Sequence, residues 1–279
     1  MSMESVGFIG GGNMTRAIAG GLLDNGFDPR SIAIAERLSS QRQVLLETLP
    51  GVFISEDNAA VVARSQCIVL AVKPQVLPAV CSDLAPAVKT HQPLIISIAA
   101  GPRIDDIDTW LSGGNAIVRV MPNQPALIGR GVSGIFGNAR TSADQISMAS
   151  KILSAVGPVV TVASEADIDA VTAVSGSGPA YFYLLIDMIT KAGVKLGLDE
   201  DTANRLALET AVGATMLAQQ SGDPMEALIA RVRSPGGTTA AALDELEARG
   251  IRDIFTAALT AARDRATELA DAAHKSARD

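Results

Sequence analysis

The sequence predicts an α/β protein, with an N-terminal doubly wound, Rossmann-like domain followed by an all-α domain. Three observations carry this. Up to about Ala163, short β-branched runs alternate with amphipathic stretches, the pattern of parallel strands joined by crossover helices. From about Ser164 the strand pattern stops and helical periodicity replaces it. The first strand-like run leads straight into a glycine-rich turn and a helical pattern. The expected domains are therefore 1–163 and 164–279.

Taken in order, the strand-like runs are "SVGFIG", "SIAIAE", "GVFIS", "CIVLAV", "PLIISIA" and "AIVRVM". Continuous apolar runs of this kind indicate a parallel sheet covered on both faces. The intervening helices have clear stops: Gly26 follows "LLDN", and Pro50-Gly51 follows "LLETL". In the second half, "PAYFYLLIDMITKAGVKLG" opens with Pro179 in the first helical turn. It is apolar nearly all round, interrupted by Asp187 and Lys191, so it must be covered from several sides. "DEDTANRLALETAVGATMLAQQSG" opens on acids and closes at Gly222. "DPMEALIARV" has Asp223 as its expected N-cap, and "RDIFTAALTAARDRATELADAAHK" forms a long last helix. One copy of this domain would leave much apolar surface exposed, so dimerisation is expected.

Composition narrows the function classes. The chain has 279 residues and a net charge of -7 without a long basic run, which argues against nucleic acid or an anionic membrane as partner. Its two cysteines, Cys67 and Cys81, are too few for a disulfide framework or a Cys-rich zinc site. His91 and His274 stand far apart in sequence and read as surface residues, so no metal site is expected. The start "MSMESVGFIG" has no basic leader, and no run has the length and purity of a membrane span. A soluble, cytoplasmic protein is expected.

In "GFIGGGNMTRAIAGGLL", Gly10 and Gly12 match the spacing of a dinucleotide fingerprint, with Thr15 at the place of its third glycine. Gly10 makes the turn, and Gly12 lets the backbone approach a pyrophosphate at a helix N-terminus. At the end of the second strand, Glu36 suits the ribose hydroxyls of NAD. Arg37, Ser39, Ser40 and Arg42 suit a 2′-phosphate, which favours NADP, with NADH as a possible second cofactor. Lys73-Pro74 follows the fourth strand at the carboxyl edge of the sheet. Lys73 reads there as backbone set against the cofactor rather than as a catalytic base.

The chain resembles the pyrroline-5-carboxylate reductases over essentially its whole length. The matching stretches are "GFIGGGNM", Asn58 in "SEDNAA", "AVKP", "SIAAG", "RVMPNQP", "DAVTAVSGSGPAY" and "SPGGTT". The resemblance implies an NADP-binding domain, a helical dimerisation domain and a substrate site at their junction. It implies reduction of a cyclic imino acid to L-proline, and homodimers assembled into a decamer. On the matching positions, cofactor contacts are expected at Ile9, Gly10, Gly11, Gly12, Asn13, Met14, Asn58, Ala71, Val72, Lys73, Pro74, Ala99 and Ala100, beside Arg37. Arg233, directly before "SPGGTT", departs from the small residue usual in the family.

The chemistry gives "SPGGTT" a task. A protonated imine is already electrophilic, so hydride transfer needs a carboxylate clamp and a partner for the ring nitrogen, not a metal. The N–H groups of Gly236, Gly237, Thr238 and Thr239, beside Ser234, are expected to form that clamp before a helix starting near Ala240. Thr239 is expected to bond the ring nitrogen as the catalytic residue, with Ser175 of "SGSG" as a further substrate contact. The loop read without the resemblance is also consistent with a plain helix cap. Two rival functions are a 3-hydroxyacid dehydrogenase and a non-catalytic dinucleotide-binding protein. The first needs a lysine where this chain has Phe182.

Overall fold

The structure is a computed structural model and describes residues 5–276; the start 1–4, read above for a leader, lies outside the described residues. The first half alternates strands and helices as expected. In chain order it comprises β1 (Val6–Ile9), α1 (Asn13–Asp24), β2 (Ile32–Ala35), α2 (Ser39–Thr48), β3 (Phe53–Ser55), α3 (Asn58–Val62), β4 (Cys67–Leu70), α4 (Leu77–His91), β5 (Leu94–Ser97), α5 (Ile104–Trp110) and β6 (Ile117–Met121). These are followed by β7 (Ser133–Gly137), α6 (Ala143–Ser154), β8 (Val159–Thr161) and α7 (Asp167–Val171).

The sheet order is β3-β2-β1-β4-β5-β6-β7-β8. Its first six strands give the doubly wound order with a switch between β1 and β4, where such sheets bind ligands. The six strands read from the sequence are parallel to one another, and two further strands, β7 and β8, were not anticipated. β7 pairs antiparallel with β6, and β8 runs parallel to β7, so both oppose the rest. The connection from β6 to β7 contains only a short 3-10 turn, Gln124–Ile128, and lacks the crossover helix that a parallel neighbour requires.

Each strand sends alternate side chains to opposite faces. Phe8, Ile34, Val69, Ile96 and Val118 build one core with α1 and α6; Ile9, Ile68, Leu70, Ile95 and Ile117 build the other with α4 and α5. All of these are almost fully buried. Each contributes about 1.5–3 kcal/mol by leaving water, which fixes the carboxyl edge of the sheet as a rigid platform.

The second half is helical: α8 (Gly178–Lys195), α9 (Glu200–Ser221), α10 (Met225–Val232), α11 (Thr238–Ala248) and α12 (Ile251–Ser276). α9 is capped by Asp199 and ends at Gly222 in the left-handed region, as expected. Asp223 is not the cap of α10. Pro224 holds that position, and the Asp223 carboxylate pairs with Arg231 at 2.7 Å. In α8 the two interrupting charges, Asp187 and Lys191, pair with each other at 2.7 Å. The coverage expected for α8 is not met within one copy, where Phe182, Tyr183, Leu184, Met188 and Ile189 are all at least 55% exposed.

By packing, the chain forms two compact units. The first runs to Ser177 and includes the end of α12 from Ala262; the second is Gly178–Ala261. This division falls later than the change of pattern at 163/164, because α7 packs on β6 and β7 and sends Asp169 to a buried Arg119. His274 is not a free surface residue as expected: its Nδ1 lies 2.5 Å from Oδ1 of the buried Asp106.

Candidate functional site

The glycine turn between β1 and α1 has the geometry of a pyrophosphate cradle. Gly10 has φ +103°, and a Cβ there would stand 2.9 Å from the Ala71 carbonyl oxygen, so only glycine fits. At Gly12, the N-cap of α1, a Cβ would meet nothing and would instead fill the space above the helix end. No side chain caps α1, which leaves the N–H groups of its first turn for an anion. Thr15 stands where a third glycine is usual. It is fully buried, and its hydroxyl donates to the Gly10 carbonyl at 2.6 Å, so the β-branched residue locks the turn.

A cleft of about 470 Å³ opens over this turn. Of the expected cofactor residues, Ile9, Gly10, Gly11, Gly12, Arg37, Asn58, Ala71, Val72 and Lys73 line it. Asn13, Met14, Pro74, Ala99 and Ala100 do not; Met14 packs partly into the core and Ala99 is buried. Leu38, Val76 and Val80 also line the cleft and were not anticipated. Their signal was weak, because single apolar residues of this kind mark no ligand in sequence.

Glu36 does not reach out towards a ribose. Its carboxylate folds back, accepting the Gly11 N–H at 2.9 Å and the Leu38 N–H at 2.8 Å. Arg42 also faces inward, donating to the carbonyls of Glu36 and Arg37 and pairing with Glu56. Arg37 stays exposed, with only Asp83 at 3.4 Å. The N-terminus of α2 beside it, opening at Ser39, has no side-chain cap. Arg37 and that helix end together offer cationic and N–H donors suited to a phosphate.

The "SPGG" stretch is a tight turn: Pro235 precedes Gly236 at φ +69°, and the Gly237 N–H donates to the Ser234 carbonyl at 3.0 Å. This is the residue pattern of a type II turn. It corrects two expectations. The Gly237 N–H is spent inside the turn, so it is no free clamp donor. The helix starts at Thr238 rather than near Ala240, so Thr238 and Thr239 open its first turn. Gly237 is its N-cap, and no side chain caps it. The loop thus does supply the N-cap of this helix, through Gly237 and without a side-chain hydrogen bond, as the plain-cap reading also expects. Thr238 is exposed and Thr239 half-buried. The unusual Arg233 pairs with Asp244 of α11 at 2.6 Å, clasping the base of the turn.

The "SGSG" stretch begins inside a π-helical segment, Thr172–Gly176, and runs into α8 at Gly178. The Ser175 hydroxyl donates to the Val171 carbonyl at 3.0 Å, and its own carbonyl accepts from Asn123 at 3.2 Å. Its oxygen retains acceptor capacity but its proton is engaged. Among the described residues, no group of side chains suited to hold a metal is present.

The chain is similar over nearly its whole length to known proteins. Residues 165–269 match the family described as pyrroline-5-carboxylate reductase dimerisation, and 5–101 the family described as NADP oxidoreductase, coenzyme F420-dependent. The chain is 45% identical to the pyrroline-5-carboxylate reductase of Pseudomonas aeruginosa, over 97% of this chain and 98% of that one. It is 40% identical to that of a Synechocystis species, over 96% and 99%. The solved structure of a pyrroline-5-carboxylate reductase from Coxiella burnetii superposes with TM-score 0.92 at 39% identity, covering 96% and 99%. Plasmodium falciparum pyrroline carboxylate reductase with NADP bound superposes with TM-score 0.82 at 28% identity, covering 97% and 99%.

Proposed function

The chain belongs to the pyrroline-5-carboxylate reductase family, and from that premise we propose how its own residues carry the reaction. It is an NADP-binding oxidoreductase of proline biosynthesis. Bound NADPH supplies the hydride.

The observation that carries the assignment of roles is the uncapped first turn of α11 behind the "SPGG" turn. The substrate is a five-membered imine with a carboxylate. The Thr238 and Thr239 N–H groups clamp the carboxylate, with the helix end favouring its charge. Ser234, Pro235, Gly236 and Gly237 set the shape of that clamp. The Thr239 hydroxyl meets the ring nitrogen and stabilises it as it becomes an amine. Ser175 contributes at most an acceptor, since its proton is held by Val171.

On the cofactor side, the first turn of α1 holds the pyrophosphate. Arg37, with the start of α2, holds the 2′-phosphate, which favours NADPH over NADH. The inward turn of Glu36 supports this reading, because an acid engaged by Gly11 and Leu38 is not presented to a ribose. Lys73 is exposed and serves by backbone placement beside the ribose.

The homodimer forms through the helical part, and dimers assemble into a decamer in the cytoplasm. The exposed apolar face of α8 supports the first step. The functional division lies near 163/164, with cofactor binding before it and dimerisation and substrate binding after; the dimerisation match from residue 165 supports it. Among the described residues, no helix is long and apolar enough to cross a membrane.

The experiment is NADPH oxidation with pyrroline-5-carboxylate, set against 3-hydroxy acids with NADP. Turnover of the imine alone is expected. Turnover of hydroxy acids alone would replace this reading with the dehydrogenase one.

A further inference from the structure

The stretch "RVMPNQP" has no part in the cleft or in the α11 turn, yet it carries a cation in the middle of a buried strand. Arg119 of β6 is 3% exposed. Its Nη1 lies 3.2 Å from Glu165, and its Nη2 lies 3.3 Å from Asp169 and donates to the Gly101 carbonyl at 3.3 Å. The Asp169 carboxylate accepts in turn from the Thr267 hydroxyl at 3.0 Å. Glu165 accepts the Ile104 N–H at 2.8 Å.

We infer that Arg119 is a positioning residue, which holds the 98–101 turn after β5 in register under the nicotinamide half of the dinucleotide. The inference rests on the NADP reading above. In the order β2-β1-β4-β5, the 2′-phosphate donors lie at the end of β2 and the pyrophosphate turn at the end of β1. A dinucleotide laid across the carboxyl edge then extends its other half over the ends of β4 and β5. The turn following β5 is the floor of that region. Its own ties are long: Ile98 N–H to Leu70 at 3.3 Å and Ala99 N–H to Ser97 Oγ at 3.4 Å. Gly101 stands at φ +104°, a conformation that glycine adopts freely. The Arg119 fork is the added brace.

The energetics point the same way. Burying a guanidinium requires compensating charges, and an apolar side chain of similar volume commonly stabilises a fold at least as well. A group placed only for stability has its donors satisfied. Arg119 Nε has no hydrogen-bond partner among the described residues. The fork is aimed at three acceptors on two segments, the 98–101 turn and the start of α7, at the expense of its own last donor. A lysine offers no such planar fork and cannot span them.

The test separates the two halves of the cofactor. Arg119→Lys and Glu165→Ala are compared with the parent for affinity towards adenosine 2′,5′-bisphosphate, for the fluorescence of bound NADPH, and for single-turnover hydride transfer. Glu165 is partly exposed, so its variant decides the matter even where Arg119→Lys does not fold. The expected result is bisphosphate affinity close to the parent's in both, an altered nicotinamide signal, and hydride transfer slowed about tenfold or more. Glu165→Gln, which keeps the acceptor, should restore most of the rate. A folded Glu165→Ala or Arg119→Lys enzyme with the parent's nicotinamide signal and rate would make the network purely structural and overturn the inference. A parent that fails to bind the bisphosphate would instead overturn the NADP reading, and this inference with it.

Discussion

Glu36 and Gly11 are joined by a hydrogen bond of 2.9 Å from the Gly11 N–H to the Glu36 carboxylate. The other carboxylate oxygen takes the Leu38 N–H, so both are in use. An acid at the end of the second strand ordinarily reports NAD through a ribose hydroxyl. Here the same residue type braces the glycine turn, and we propose that its neighbour Arg37 makes the cofactor choice.

Arg37→Ala should therefore raise the KM for NADPH by about 10- to 100-fold, the range for loss of a charge-assisted hydrogen bond. The KM for NADH should change little. Among the described residues, the Arg37 side chain is held by a long, exposed pair with Asp83, so its removal costs little stability. Steady-state kinetics with both cofactors checks this; equal changes would remove Arg37 from the 2′-phosphate site.

Cys81 lies on α4 in the core, where burial pushes its thiol from 9.0 up to about 12. The folded value lies above the unfolded one, so the thiol's contribution to stability is whole below about pH 9 and lost as pH rises towards 12. At pH 8 the native thiol should resist alkylation and react only on unfolding. Mass-spectrometric labelling with and without denaturant tests it, and fast labelling of folded protein would refute the burial.

Leu184→Glu tests the dimer. In one copy Leu184 is 58% exposed, and a surface substitution there would shift stability by about 0.5 kcal/mol or less. In a dimer closed over α8, it buries an unpaired carboxylate, and the fold should go with the assembly. Sedimentation with thermal melts distinguishes these. A folded, active monomer, in parent or variant, would contradict the obligate dimer.

The sequence made the first six strands legible because each is a mainly apolar run, broken in β6 by Arg119 alone. β7 escaped because it is broken by Gly134 and Gly137. The structure gives the reason at Gly134: a Cβ there would stand 2.6 Å from Val171, so packing by α7 removes the side chain that would have marked the strand. The glycine turn was legible because backbone geometry dictates its residues. The partners of Glu36 were not, since a carboxylate's choice between ligand and backbone is settled only in three dimensions. Arg119 left a signal that the motif reading passed over. A lone guanidinium inside "AIVRVM" requires buried carboxylates somewhere, and Asp169 in "DAVTAV" is one of them.

The Thr239 prediction follows from where the helix begins. With Gly237 as N-cap and its N–H committed to Ser234, the proposed clamp falls to the first-turn residues, Thr238 and Thr239. Both offer a backbone N–H, which no side-chain change removes. Only the hydroxyls can differ in role, and Thr239 is the less exposed of the two. Thr239→Ala should lower kcat by about 10- to 1000-fold, the usual loss for a hydrogen bond or proton donor made in the transition state. NADPH affinity should stay near the parent's, because its cleft is built from other segments. Thr239→Ser should recover much of the rate, and Thr238→Ala should be milder. Rapid kinetics on the three variants decides it. Unchanged turnover in Thr239→Ala would leave this turn as a carboxylate clamp alone, with the amine proton supplied by water or by an imine already protonated when it binds.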